Sequence, residues 1–179
     1  MQIKEFRTEN FLFKNYTELT EVESRKIWEG RNHPAIRKWM TNPEPFTWES
    51  HQGYVEGLKK KDDRSYWAVI HDNAIIGSMC LNPIGKYPPP KKKYCTDNQI
   101  IINAVWAETG MFLLPEFIGK GLGTSMKKEF IDYILANTNI EVLLLKTQRE
   151  NIRTIKLNQS LGYQIFNEDE AYVYMMKTK

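Results

Sequence analysis

The segment Leu114-Pro115-Glu116-Phe117-Ile118-Gly119-Lys120-Gly121-Leu122-Gly123-Thr124 constrains this chain more than any other. It joins a strand-like stretch, Trp106 to Leu114, to a helical stretch in which Leu122, Met126, Phe130 and Ile134 recur every four residues. Three glycines at alternate positions let the backbone approach a ligand and turn its amides one way, at the positive end of the helix dipole. That geometry holds phosphate groups. The spacing disfavours two common phosphate ligands. Gly119-x-Gly121-x-Gly123 lacks the third glycine of G-x-G-x-x-G, and no Gly-Lys-Ser/Thr follows, so neither a dinucleotide loop nor a nucleoside-triphosphate loop is read here. Taken alone, the same run also serves as a tight turn with no ligand.

The surrounding pattern indicates the fold. With 179 residues, 41% of them hydrophobic and 26% charged, the chain is predicted to form a single domain over residues 1–179, with a packed core and no need of disulfide staples. Loose alternation predicts a first strand from about Phe11 to Glu18. Thr20-Glu21-Val22-Glu23 then caps a helix carrying Val22, Ile27 and Trp28. Pro34 starts a new element, a short helix from Ala35 to Met40, and Thr47-Trp48-Glu49-Ser50 opens a third helix with Tyr54, Val55 and Leu58 on one face. Tyr66 to Ile70 and Ala74 to Leu81 flank Asp72-Asn73 as a hairpin. Pro88-Pro89-Pro90-Lys91-Lys92-Lys93 reads as a loop, followed by strand-like Ile100-Ile101-Ile102. After the glycine loop come a helix to about Leu135, a strand from Val142 to Thr147, a helix from Ile152 to Ser160, and strands near Tyr163 and Tyr172. Helices alternating with strands after a hairpin predict an α/β layer structure with a mixed sheet.

Composition narrows the partners. Twenty-five basic against 22 acidic residues leave a net charge of +3, too slight a surplus for a dedicated nucleic-acid binder. No apolar run approaches the roughly 20 residues of a membrane span, and the N-terminus has no apolar core of the secretory kind. A cytoplasmic protein with no membrane or nucleic-acid partner is expected. Cys80 and Cys95 lie in no metal-ligand spacing and are read as reduced thiols, with no metal expected.

A second segment decides among the ligands left open by the loop. Asn151-Ile152-Arg153-Thr154-Ile155-Lys156-Leu157-Asn158-Gln159-Ser160-Leu161-Gly162-Tyr163 begins with a helix cap and ends with a glycine placed to terminate that helix. Together the two segments resemble the Gcn5-related N-acetyltransferase (GNAT) superfamily. Ile118 to Gly123 matches the glycines of its pyrophosphate loop, Q/R-x-x-G-x-G/A. Asn151, Leu157 and Gly162 match its later motif, N-x-x-A/S-x-x-L-Y-x-K-x-G-F, with Thr154, Ser160 and Tyr163 as conservative matches. The resemblance implies a mixed, mostly antiparallel central sheet flanked by helices. It implies acetyl-CoA as co-substrate, its pyrophosphate on the amides of Gly119, Lys120, Gly121, Leu122, Gly123 and Thr124. The pantetheine arm would lie along Phe112, Leu113 and Leu114, with Asn151 and Asn158 also at the coenzyme. Two positions depart from the pattern. Ile118 replaces the usual Arg or Gln and removes a side-chain contact. Asn158 replaces the Tyr that commonly protonates the departing thiolate, and an amide is no acid near neutral pH; either Asn158 stabilises the thiolate by hydrogen bonding, or another group or water protonates it, or catalysis is weak.

In the first third, Arg31-Asn32-His33-Pro34-Ala35-Ile36, the pair Trp39-Met40, and His51 are similar to segments of the N-acetyltransferases of pseudaminic acid biosynthesis. That resemblance implies transfer of acetyl to a nucleotide-linked (UDP) 4-amino sugar. Arg31 offers a cationic fork for phosphate, and Trp39, Met40 and Tyr54 offer surface for a sugar or base, with His51 at the same pocket. The same residues also fit ordinary core and surface roles. A primary amine must lose a proton to attack a thioester, and Glu108, on the strand leading to the loop, is the first candidate base, with His51 as its rival. Lys91 to Lys93 either steer an anionic nucleotide or form a solvated loop. Two other functions stay open: acetylation of a protein or peptide amine of the ribosomal-protein type, and a noncatalytic acyl-CoA sensor, for which Asn158 argues. The sequence does not decide between a monomer and a homodimer.

Overall fold

The structure is a computed structural model describing residues 3–86 and 104–179. The proline and lysine run, Cys95 and Ile100-Ile101-Ile102 lie outside the described residues. The first strand is shorter than its alternation predicts. Strand β1 (Phe6–Arg7), which the pattern does not announce, pairs with β2 (Leu12–Asn15). There Asn15 accepts from the Thr17 amide and turns the chain into a 3-10 turn, Tyr16–Glu18. Phe6 fixes β1 by stacking on Phe13 at 4.5 Å and on Tyr133 at 3.9 Å.

Helix α1 (Glu21–Asn32) starts with a capping box between Thr20 and Glu23, as its opening residues predict. Helix α2 covers Pro34–Arg37 rather than Ala35 to Met40. His33 caps it by accepting from the Ala35 amide at 3.2 Å, and Pro34 sits at the first helical position; at the other end the Trp39 and Met40 amides bond three residues back, to the Ile36 and Arg37 carbonyls, in turns beyond the helix. Helix α3 (Trp48–Leu58) is capped by Thr47. The hairpin of β3 (Ser65–His71) and β4 (Ala74–Lys86) turns at Asp72 and Asn73, whose φ values of 48° and 60° suit the twist of the flanking strands. There follow β5 (Val105–Leu113), α4 (Leu122–Asn137), β6 (Val142–Gln148), α5 (Ile152–Ser160), β7 (Gln164–Glu168) and β8 (Tyr172–Thr178).

The strands form one eight-stranded sheet in the order β1-β2-β3-β4-β5-β6-β8-β7. Every neighbouring pair is antiparallel except β5 with β6. This is the mixed sheet that the pattern predicts and the mostly antiparallel one that the family resemblance implies. Alternate residues of β3 enter opposite layers. Trp67 and Val69 join a core with Met126, Phe130, Ile131 and Ile134 of α4, while Ala68 packs on the other face with Ile27 of α1 and Leu58 of α3. Burial of each large side chain contributes roughly 1.5–3 kcal/mol. No helix among the described residues is long and apolar enough to cross a membrane.

Candidate active site

The parallel pairing of β5 with β6 is short: Trp106 with Val142, Ala107 with Leu143, Glu108 with Leu144. Beyond it the strands part. β5 stays with β4, where Thr109 faces Leu81 and Leu113 faces Gly77, while β6 stays with β8 as far as Gln148 and Tyr172. At the point of divergence the Thr109 hydroxyl donates to the Leu144 carbonyl at 3.2 Å, satisfying a group that the ladder no longer serves.

The opening is a cleft of ≈ 500 Å³. Its walls are Thr109 to Leu113 from β5 and Leu145 to Thr147 from β6; Ile118, Gly123 and Lys127 come from the glycine loop and α4, and Asn151, Thr154, Leu157 and Asn158 from α5. Gly119 and Gly121 have φ of 91° and 80°, left-handed conformations that L side chains adopt only with strain. Gly121 stands at the N-cap of α4 and caps it with no side chain. The first turn of α4 therefore presents backbone amides that the helix itself cannot satisfy. At the other wall Asn151 caps α5 by accepting from the Thr154 amide, and Gly162 at φ 84° ends it.

A second cavity, ≈ 590 Å³, opens on the α1 and α3 side and shares Met40, Thr41 and the stretch Glu108 to Phe112 with the first. β5 is thus a common wall. His51 is buried there, its Nε2 2.9 Å from the Ser24 hydroxyl and its ring stacked at 5.5 Å on Trp48. Burial holds its pKa below 6.5, so the ring is neutral at pH 7. Arg31 donates from Nη2 to the Asn42 carbonyl at 3.0 Å, while its Nη1 is buried with no hydrogen-bond partner among the described residues. Tyr16 and Ser78 share a hydrogen bond of 2.6 Å, and Asn82 donates to the Tyr66 hydroxyl at 2.6 Å, which fixes a polar floor.

The residues singled out from the sequence distribute between these spaces. Arg31, Met40, His51 and Tyr54 line the second cavity, and Glu108 lines both. Trp39, expected at the acceptor, instead lines the strand cleft, because α2 ends before it and the chain turns it that way. Phe112, Leu113, Ile118, Gly123, Asn151 and Asn158 line the cleft. Leu114 does not: its side chain is buried with Tyr16 and Ile27 on the α1 face, where it fills the space a Cβ on Gly30 would need. Gly119, Lys120, Gly121 and Thr124 form an exposed rim, and Leu122 packs on the core. Asn158 is fully buried; its Nδ2 donates to the Thr154 carbonyl at 2.7 Å, and its Oδ1 has no hydrogen-bond partner among the described residues. Several cleft residues carry no role in the sequence analysis, Thr109, Lys127 and Lys146 among them. Spacing does signal Lys127, since Gly123, Lys127, Ile131 and Leu135 form one buried stripe at four-residue intervals.

A splayed pair of parallel strands with a glycine-led helix at its mouth is matched at the level of sequence: the model of the acetyltransferase (GNAT) domain covers residues 17–164. The chain belongs to the GNAT acetyltransferase family. This GNAT N-acetyltransferase is 25% identical over 162 residues to acetyltransferase PseH of Campylobacter jejuni, a match that covers 90% of each chain. It superposes with a TM-score of 0.70 on the crystal structure of C. jejuni PseH in complex with acetyl coenzyme A, at 22% identity over 94% of this chain and 99% of that one. The spermidine N-acetyltransferase of Vibrio cholerae, solved with CoA and spermine, gives 0.73 at 16% identity over 96% of both chains. At these identities the structural likeness speaks to the fold.

Proposed function

We propose that this GNAT N-acetyltransferase moves the acetyl group of acetyl-CoA to the primary amine of a small nucleotide-linked acceptor, with a UDP-linked 4-amino sugar preferred. The observation that carries the reading is the pair of spaces meeting at Glu108 to Phe112, one built for a thioester carrier and the other holding an unsatisfied guanidinium nitrogen.

The cleft fits the carrier on its own terms. Open backbone amides at the start of α4 suit a diphosphate, the strand edge from Met111 to Leu113 offers peptide groups to an extended amide-bearing arm, and Asn158 Oδ1 is a buried acceptor in want of a donor. Bound there, the carrier supplies an activated acyl carbon. In the other cavity Arg31 Nη1 would meet phosphate oxygen, Phe46 and Tyr54 would flank the sugar or base, and Glu108 would take the proton the amine must lose. His51, neutral and held by Ser24, is the alternative base. The likeness to PseH favours the amino-sugar acceptor over a polyamine.

Purified protein incubated with acetyl-CoA and a panel of UDP-amino sugars, spermidine and peptide amines, followed by thiol release, tests the reading. A kcat/KM for a UDP-4-amino sugar at least tenfold above spermidine supports it; preference for spermidine or a peptide contradicts the acceptor, and no turnover on any amine contradicts the activity.

A further inference from the structure

Transfer of an acetyl group leaves a thiolate, and something in the cleft must meet that charge. Asn158 has no acidic proton to give. Among the described residues Lys127 is the only buried lysine, arginine or carboxylate, 2% exposed on the second turn of α4 and lining the cleft with Asn158 and Met111. No described carboxylate pairs with it. Its ammonium instead lies 5.0 Å from the centre of the Tyr163 ring. A buried cation without a counter-ion destabilises a fold, and groups held at such a cost cluster at functional sites.

The titratable groups around it come from several elements: Cys80 on β4, Tyr163 before β7, and Glu108 on the shared wall of β5. Burial pulls the Lys127 pKa down to about 7, slightly opposed by Cys80. The neighbours move the other way, since burial pushes the Cys80 thiol up to about 12 and the Tyr163 phenol above its ordinary value. Lys127 is therefore the group in this corner that exchanges a proton near neutral pH.

We propose that Lys127 donates the proton to the sulfur that leaves during acetyl transfer, and that Asn158 Oδ1 accepts the hydrogen bond of the thiol so formed. The inference rests on the acetyl-CoA reading of the cleft. As the acceptor nitrogen bonds to the acyl carbon, the carbon–sulfur bond breaks and its electron pair goes to sulfur. Sulfur takes a proton from Lys127 Nζ, which becomes a neutral amine. The proton released by the acceptor nitrogen goes to Glu108 or solvent, and water returns one to Lys127 after the thiol departs.

Lys127→Met removes the charge and keeps the length of the side chain. Calorimetry at pH 6, where Lys127 is charged, with CoA and with desulfo-CoA, which lacks the sulfur, isolates the interaction. Wild type should bind CoA about tenfold more tightly than desulfo-CoA, and Lys127→Met should cut that preference to the smaller part that the Asn158 contact supplies, while holding desulfo-CoA as wild type does. With acetyl-CoA and an acceptor, kcat should fall about 100-fold at nearly constant KM, and Lys127→Arg should restore sulfur-dependent binding without restoring kcat. Equal affinity of wild type for both ligands overturns the proposal even if the variant does not fold. A variant with unchanged sulfur preference and kcat overturns it while leaving the coenzyme site intact, whereas wild type that binds neither ligand overturns the reading beneath it.

Discussion

In the proposed reaction Glu108 and Arg31 divide the acceptor chemistry, and each is separable by a single substitution. Glu108 borders both spaces, so Glu108→Gln should lower kcat by about 100-fold and leave coenzyme affinity unchanged, measured by steady-state kinetics and calorimetry; an unaltered pH–rate profile would remove it from the reaction. Arg31 holds one guanidinium nitrogen against the Asn42 carbonyl and leaves another unsatisfied. Arg31→Met should raise KM for a nucleotide-linked acceptor by about 10- to 100-fold, the worth of a charge-assisted hydrogen bond at about 1.5–3 kcal/mol, without moving KM for acetyl-CoA. Legibility at this scale follows exposure of the signal. Caps such as Thr20, Asn151 and Thr47 are readable because they act on residues three positions away. Lys127 was not, because Lys127-Lys128 looks like a solvated pair until the neighbouring stripe is traced, and the burial of the Leu114 side chain was not, because it depends on the room left by Gly30 on a helix distant in sequence.

At the scale of elements, the glycine-led start of α4 and the parting of β5 from β6 make the cleft. A Cβ on Gly121 meets no atom within 4 Å, so any loss on substitution comes from its φ of 80° and not from crowding. Gly121→Ala should therefore cost about 1 kcal/mol of stability and weaken coenzyme binding several-fold. Gly53→Ala, in α3 with equally open space, should be neutral or stabilising by about 0.5–1 kcal/mol, so the pair compared by thermal melting and calorimetry separates conformation from size. Gly77 differs from both, since a Cβ there would lie 2.2 Å from the Phe112 carbonyl oxygen and push β4 from β5. The hairpin at Asp72-Asn73 and the later helix–strand alternation were legible from period and turn chemistry. The two-residue β1 and the early end of α2 were not, because the first is held by distant aromatic stacking and at the second the Lys38 carbonyl is taken by the side chain of Gln148, 110 residues away in sequence.

Over the whole molecule, the buried lysine links stability to pH. Its folded pKa of about 7 lies below the 10.5 of an unperturbed lysine, so the unfolded chain binds more protons between those values and stability rises with pH across that window. Below pH 7 both states are protonated and the penalty is at its full size. Lys127→Met should thus melt at a higher temperature than wild type at pH 7, by an amount on the order of a few kcal/mol in stability, and the gap should narrow towards pH 10. A gap that is constant from pH 7 to 10 would mean that the lysine stays charged in the fold. His51 adds a slope of the same sign at lower pH: its folded pKa is depressed, so stability is lost as pH falls below 6.5.

The central claim is that the carrier's diphosphate rests on the backbone at the head of α4 and its arm enters between β5 and β6. A crystal structure of the protein with CoA tests it most directly. Phosphate density against the amides from Gly119 to Thr124, with the arm beside Met111 to Leu113, is the predicted result; CoA seated in the cavity of Arg31 and His51, or no ligand at the head of the helix at saturating concentration, would contradict it.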